Sequence, residues 1–206
     1  MNTSSMETRA RFCAALACGG VAVFVLICGA VQFLRPDLDW IAAPLSYYLV
    51  GPFGAAVVAA YLALSVGLVA LGIGFRFSLA AAARSGAPVL LFSVAGAALA
   101  LTALSEPAKS YGHPMEWEAI HRLAAMTTFL FVTLAMLLQS FWLRYDPRWR
   151  GRFTFAFTLA ALTFVALWIY ALFHLFPSGI SQKTVIALIL VWLGWASWGL
   201  WRSLRR

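Results

Sequence analysis

The residues that could do chemistry in this chain are histidines, carboxylates and one tyrosine, gathered in a few short stretches. Those considered are Glu106, His113, Glu116, Glu118, His121, Tyr170 and His174. Because His174 follows Tyr170 by one helical turn, the two would lie on one face of a helix. A histidine, a tyrosine and several carboxylates around one cavity could bind a metal ion, a lipid headgroup or an organic cation.

A metal site is one interpretation of these residues. Its ligands would be His113, His121 and His174. Glu106 or Glu118 would then act as general base in a metal-dependent hydrolase that acts on lipid at the outer leaflet. The sequence has no HExxH and no HxxxH, so such ligands would come from separate helices. A haem would need two facing histidines within the membrane, and His121 with His174 is the only possible pair. We expect no bound cofactor.

The neighbours of His121 favour an inward-facing side chain. The residue shares a helix face with two alanines and Thr128, and small residues mark close helix packing in lipid. The acids also have an explanation that needs no site. Glu118 lies near a helix N-terminus, where the helix dipole favours carboxylates, and it has the i,i+4 spacing to Arg122 that suits an ion pair.

The composition indicates which elements must position these residues. Apolar residues make up 63% of the 206, and charged residues only 11%, against about 25% in soluble domains. A soluble fold is excluded, because too little polar surface remains to cover it. The apolar runs are continuous and near the ~20 residues that cross a bilayer as a helix. Spans are predicted at approximately 12–34, 47–74, 88–104, 115–143, 153–176 and 184–201.

The predicted fold class is all-α, a polytopic transmembrane six-helix bundle, with residues 1–206 in a single integral membrane domain. Of the 15 Lys and Arg residues, 11 lie on the side that carries both termini. These residues mark the cytoplasmic side, so both termini are predicted to be cytoplasmic. All three histidines and five of the seven acids then lie on the outer side. The net charge of +8 is mostly this topology signal and does not indicate nucleic-acid binding.

A second unusual stretch runs from Pro44 to Gly54, where two prolines and two glycines precede or open the second span. It predicts a kinked or partly unwound helix, which lipid tolerates only where the freed backbone faces protein or water. Because transporter substrate sites use such breaks, Ser46 is a candidate binding residue. Tryptophans recur every three residues in the sixth span, a pattern more typical of helix packing than of a cofactor site.

Four segments carry a family resemblance: PLSYYLVGPFG at 44–54, LSEP at 104–107, IHRLAA at 120–125 and GISQKTVIALILVWLGW at 179–195. Together they resemble the domain of unknown function 998, a bacterial and archaeal family of six-helix membrane proteins. The resemblance covers roughly 30–200. The chain departs from it at Ser105 and Glu106, where the family often has Thr-Asp, and at Ala119, where it often has Gly.

The resemblance implies site positions but no activity. The leading hypothesis is a non-catalytic multi-pass protein of the bacterial inner membrane. Its outward-facing polar pocket would bind a small molecule, an ion or a lipid headgroup. The candidate ligand-binding residues are Ser46, Glu106, Glu118, His121, Tyr170, His174 and Gln182. The alternatives are the metal-dependent hydrolase described above and a structural or interaction subunit of a membrane complex. The lipid bilayer and the pocket ligand are the only predicted partners.

Overall fold

Six long helices build the molecule, and the computed structural model describes residues 3–173 and 175–204. The helices are α1 (Thr3–Leu34), α2 (Gly54–Ser78), α3 (Ala87–Ala108), α4 (Pro114–Leu143), α5 (Phe153–Phe173) and α6 (Ser178–Ser203). Each contains a segment long and apolar enough to cross a membrane. The described residues include no β-strand. The predicted all-α fold with six membrane-spanning helices is confirmed.

The six helices form a closed ring in chain order. Each packs against the helices before and after it, and α6 returns to pack against α1. Glycines allow the backbones to approach closely. A Cβ atom on Gly20 of α1 would lie 2.5 Å from the carbonyl oxygen of Ala63 in α2, and one on Gly96 of α3 would lie 2.7 Å from that of Ser65. Such contacts are typical of helix association in lipid.

The two ends of the ring differ in how they are filled. At the end that carries both termini, the terminal end, Arg11 donates a hydrogen bond to the carbonyl of Leu204. Nearer this end, the buried Trp192 of α6 links three helices. Its Nε1 donates to the hydroxyl of Ser140 of α4 at 3.2 Å and to a carbonyl of α5 at 3.1 Å. The opposite end, the cavity end, carries the α1–α2, α3–α4 and α5–α6 connections.

A buried carboxylate joins two loops of the terminal end. Asp146, which follows α4, accepts hydrogen bonds from the backbone N–H groups of Ala80 and Arg148 at 2.8 and 2.9 Å. The Arg148 guanidinium pairs with it at 3.3 Å and also contacts the carbonyl of Ser78. Burial raises the pKa of the Asp146 carboxyl, but these hydrogen bonds outweigh burial and hold the pKa below its usual value.

The start of α2 differs from the predicted second span. The helix begins at Gly54, seven residues after the predicted start, and a 3₁₀ helix occupies Leu45–Leu49. Gly51 and Phe53 have φ angles of 75° and 66°, which a right-handed helix cannot contain. Pro52 also disfavours helical geometry in the residue before it. The stretch is therefore unwound, as predicted, but lies outside the helix.

Three other helices are longer than predicted. Helix α1 begins at Thr3, nine residues before the predicted start of the first span. Helix α3 continues through Glu106 and Pro107, although proline more often ends or kinks a helix. Helix α6 begins at Ser178, six residues before the predicted start of the sixth span. Gln182 and Lys183 therefore lie on its first two turns and not in a loop.

Candidate ligand-binding site

A large cavity lies at the cavity end, between α4, α5 and α6. Its volume is about 1360 Å³, whereas ligand pockets commonly measure about 300–1,000 Å³. The predicted binding residues that line it are Ser46, Glu106, Glu118, His121, Tyr170 and Gln182. The remaining one, His174, lies outside the described residues. Side chains that are far apart in the sequence are thus brought to one cavity.

His121 is held in the cavity wall by three oxygen atoms. Its Nδ1 lies 3.1 Å from the Oγ of Ser105, 3.1 Å from the carbonyl oxygen of Thr102 and 3.2 Å from an oxygen of Glu106. All three partners belong to the last turns of α3, and only 8% of His121 is exposed. The pocket hypothesis requires Glu106 and His121 within reach of one small ligand, about 12 Å, and the two are in direct contact.

These contacts determine which ring nitrogen of His121 carries a proton. A carbonyl oxygen can only accept, so a hydrogen bond to Thr102 requires the proton on Nδ1. In the neutral ring, Nε2 then has a free lone pair. Within the described part of the chain, no hydrogen bond to Nε2 is formed. Nε2 is therefore able to accept a proton or a hydrogen bond from a bound molecule.

A lysine joins two carboxylates beside His121. Lys109 Nζ lies 2.8 and 2.7 Å from the two carboxylate oxygens of Glu106 and also contacts the carboxylate of Glu118. We call Glu106, Lys109 and Glu118 the carboxylate–lysine cluster. The predicted pair between Glu118 and Arg122 is longer, at 3.7 Å. Charge-assisted hydrogen bonds of this kind are stronger than neutral ones, so the cluster has a defined geometry.

Lys109 was not among the predicted site residues. It reaches Glu106 as an i,i+3 neighbour, which is possible only because α3 continues past Pro107. The sequence did contain one signal, a lysine on the side of the membrane that is otherwise poor in cations. A cation retained on that side points to a specific partner, here the two carboxylates.

A narrow apolar chamber continues from the cavity towards the middle of the bundle. Its volume is about 70 Å³, and apolar side chains form most of its walls. Ser46, His121 and Gln182 line both spaces and therefore lie at their junction. Tyr170 lines the outer cavity and packs edge-on against Phe129, with ring centroids 6.5 Å apart. Polar groups thus lie between a charged outer region and an apolar interior.

The first turns of α6 are docked onto the α1–α2 connection. The N–H of Gly179 donates to a carbonyl of this connection at 3.1 Å, and a Cβ atom at Gly179 would lie 2.6 Å from two of its carbonyl oxygens. Gln182 Oε1 accepts the N–H of Leu45 at 2.9 Å, and Lys183 donates to another carbonyl at 2.6 Å. Gln182 therefore positions the segment that carries Ser46.

Arg35 holds the other side of the same connection. It is almost fully buried, pairs with Asp37 at 2.7 Å, and donates to the carbonyls of Val50 and Pro52 at 2.9 and 3.3 Å. The hydrogen bonds from Arg35 lower the pKa of the Asp37 carboxyl, and the same pairing raises the pKa of Arg35. Sequence analysis did not single out Arg35, although it too is a cation on the side poor in cations.

His113 takes no part in the cavity. It precedes α4 in a left-handed conformation with a φ of 53°. Its side chain is 77% exposed and pairs with Glu116 at 3.4 Å. The turn before α4 places His113 at the surface, so the structure does not bring it together with His121. The alternative metal site of His113, His121 and His174 stays a prediction. The described residues contain no group of three His, Cys, Asp or Glu side chains arranged for a metal.

The sequence matches a family model over most of its length. The family is described as Protein of unknown function (DUF998), and the match covers residues 18–199. The chain belongs to this family. The predicted family membership is thus confirmed. No curated protein and no solved structure matches the chain. Membership of DUF998 assigns no activity to it.

In this DUF998 protein, the four segments that carry the family resemblance meet at the cavity. The segment at 104–107 contacts the one at 120–125 through Glu106 and His121. The segment at 44–54 contacts the start of α6 through the hydrogen bond from Leu45 to Gln182. Each of the four segments therefore contributes side chains to the cavity wall.

Proposed function

We propose that this protein binds an amphiphilic small molecule in the cavity, with the polar part of the molecule at His121 and the carboxylate–lysine cluster. One observation carries the proposal: the cavity is lined both by His121 and the carboxylate–lysine cluster and by apolar side chains such as Phe129 and Ile169. An amphiphile satisfies both regions, because a polar group placed against an apolar wall loses hydrogen bonds to water without replacing them.

Size and charge both favour an organic ligand over a single ion. A cavity of about 1360 Å³ is larger than most pockets for drug-sized molecules. The cations Lys109 and Arg122 balance the two carboxylates of the cluster, so the wall is close to neutral. We therefore expect a polar group that donates a hydrogen bond, such as a hydroxyl, at Nε2 of His121.

We further propose that the protein lies in a bacterial inner membrane with the cavity facing outward. Most Lys and Arg residues, 11 of 15, lie on the side of the termini in the sequence, and an excess of these residues is typical of cytoplasmic loops. The cavity lies at the other end of the ring. In this orientation, a ligand would approach from the outer leaflet or from the space outside it.

Native mass spectrometry tests the proposal. The protein, purified in detergent and incubated with a lipid extract of the expression host, is expected to carry a bound amphiphile as a mass adduct. Glu118→Gln removes a charge from the cluster. With the lipid well below saturation, we expect adduct occupancy to fall about tenfold, which corresponds to about 1.4 kcal/mol and to the loss of one charge-assisted hydrogen bond.

Glu116→Gln provides the matched control. Glu116 is two residues earlier on the same helix, but its exposed side chain pairs with His113 outside the cavity. This variant should bind the adduct as the wild type does. Absence of any adduct from the wild type, or equal losses in the two variants, would contradict the proposed function.

A further inference from the structure

Helix α5 is least buried over its last six residues. Before them, Ala156, Ala160, Thr163 and Leu167 are buried at intervals of three or four residues, as expected of a helix packed on one face. After Leu167, no residue of α5 through Phe173 is buried. At the cavity end, α5 is therefore packed only partly on the bundle, through Tyr170, which contacts Phe129 of α4.

The cavity reaches this last part of α5, where side chains of two membrane-spanning helices line it. Ala166 and Ile169 of α5 line it, as does Met126 of α4. Met126 and Ile169 are also 70% and 44% exposed. Met126 lies twelve residues into α4, about 18 Å along the helix at 1.5 Å per residue, within the membrane-spanning segment. Exposed side chains at this depth of a membrane-spanning helix are expected to face lipid.

The aqueous end of the cavity is bounded by the α1–α2 connection. Arg35, Leu38 and Pro44 of this connection line the cavity. The connection is anchored on one side by the hydrogen bonds from Arg35 to two carbonyls, and on the other by Gln182 of α6. A segment fixed at both sides is a poor route for a bulky ligand, whereas the last six residues of α5 include no buried side chain.

We infer that the cavity communicates with the bilayer through an opening between α4 and α5, and that its ligand is a membrane lipid. The apolar chain lies in the opening beside Met126 and Ile169, and the polar group reaches Nε2 of His121. The inference rests on the proposed function and specifies the ligand as a lipid already dissolved in the membrane. Because lipid tails and apolar side chains are equally apolar, the polar contacts decide which lipid is retained.

Site-directed spin labelling in lipid bilayers tests this route. A variant with Cys13, Cys18 and Cys28 replaced by alanine receives one labelled cysteine at Ala166. The label is expected to collide often with oxygen, which partitions into lipid, and rarely with a nickel chelate, which stays in water. Its oxygen-to-nickel ratio should match that of a label at Leu162, which is exposed on the lipid-facing side of α5. It should exceed that of a label at the exposed Ser110.

A water-like ratio at Ala166 would overturn the lateral route, and a second label at Ile169 repeats the test if the first variant does not fold. Native mass spectrometry of the labelled proteins separates the two proposals. An adduct with a water-like label overturns the route and leaves the binding function in place. A lipid-like label with no adduct supports the opening and contradicts the binding function.

Discussion

At the scale of single residues, the oxygen atoms around Nδ1 of His121 fix the orientation of its ring and leave Nε2 towards the cavity. A ring held in this way by a carboxylate and a carbonyl has one defined tautomer, which is how a histidine base is oriented in many enzymes. That His121 faces inward was predictable from the small residues on its helix face. Its contact with Glu106 was less accessible to sequence reasoning, because it depends on α3 continuing past its expected end.

We predict that the neutral ring of His121 carries its proton on Nδ1. The carbonyl of Thr102 can only accept a hydrogen bond, so the ring must donate from this nitrogen. The chain has three histidines, so ¹⁵N-histidine labelling gives few signals, and His121→Gln and His113→Gln assign them. His113 is exposed and should show a mixture of tautomers. A proton on Nε2 of His121 would contradict the assignment.

At the scale of elements, the apolar runs were sufficient to predict six helices but not where the helices begin and end. The start of α2 depends on two residues with positive φ on either side of Pro52, and the start of α6 depends on a tertiary contact. The stretch from Ser178 to Lys183 is polar and resembles a loop in sequence. It is helical because hydrogen bonds to the α1–α2 connection hold it in place.

We predict that Gly179→Ala destabilises the protein by about 1–3 kcal/mol, the usual cost of overpacking. The new Cβ would lie 2.6 Å from two backbone carbonyl oxygens, so α6 must move away from the α1–α2 connection. Because Gln182 moves with it, adduct occupancy in native mass spectrometry should fall as well. Denaturant titration in detergent measures the stability change.

Gly194→Ala is the control on the same helix. There the nearest heavy atom would be 3.8 Å from the new Cβ, which is an ordinary contact. Alanine favours the helix over glycine by about 1 kcal/mol, so this variant should be as stable as the wild type or slightly more stable. Equal destabilisation by the two substitutions would show that the contact at Gly179 is not responsible.

At the scale of the whole molecule, the ring of helices was not predictable from the sequence. Apolar side chains face both the interior and the lipid, so hydropathy alone does not distinguish a packed face from a lipid-facing one. Close contacts at glycines and a few buried polar residues select the neighbours. Asp146 is the clearest of these, because it joins the α2–α3 connection to the α4–α5 connection.

We predict that Asp146→Asn lowers the free energy of unfolding by about 2 kcal/mol, as expected for the loss of hydrogen bonds to a charged group. The folded-state pKa of Asp146 is lowered, so its stabilisation is present above the usual aspartate pKa of about 3.9 and is lost as pH falls through the folded-state pKa. The difference between variant and wild type should therefore stay constant from about pH 8 to pH 5.

Asp39→Asn is the comparison for this prediction. Asp39 accepts one hydrogen bond, from the N–H of Ile41 in an exposed turn, so we expect a loss below about 1 kcal/mol. Denaturant titrations at several pH values measure both variants. Equal losses would mean that burial of Asp146 between the two connections adds nothing to stability.

The hydrogen bond between Arg11 and Leu204 brings the first and last helices together at one end of a closed ring. The helices therefore follow one another around the ring in chain order, and the last helix lies next to the first. Joining the two ends with a short linker and opening the chain between α2 and α3 would give a circular permutant. Every pair of neighbouring helices would persist, and the new ends would emerge on the same face of the membrane as the old ones.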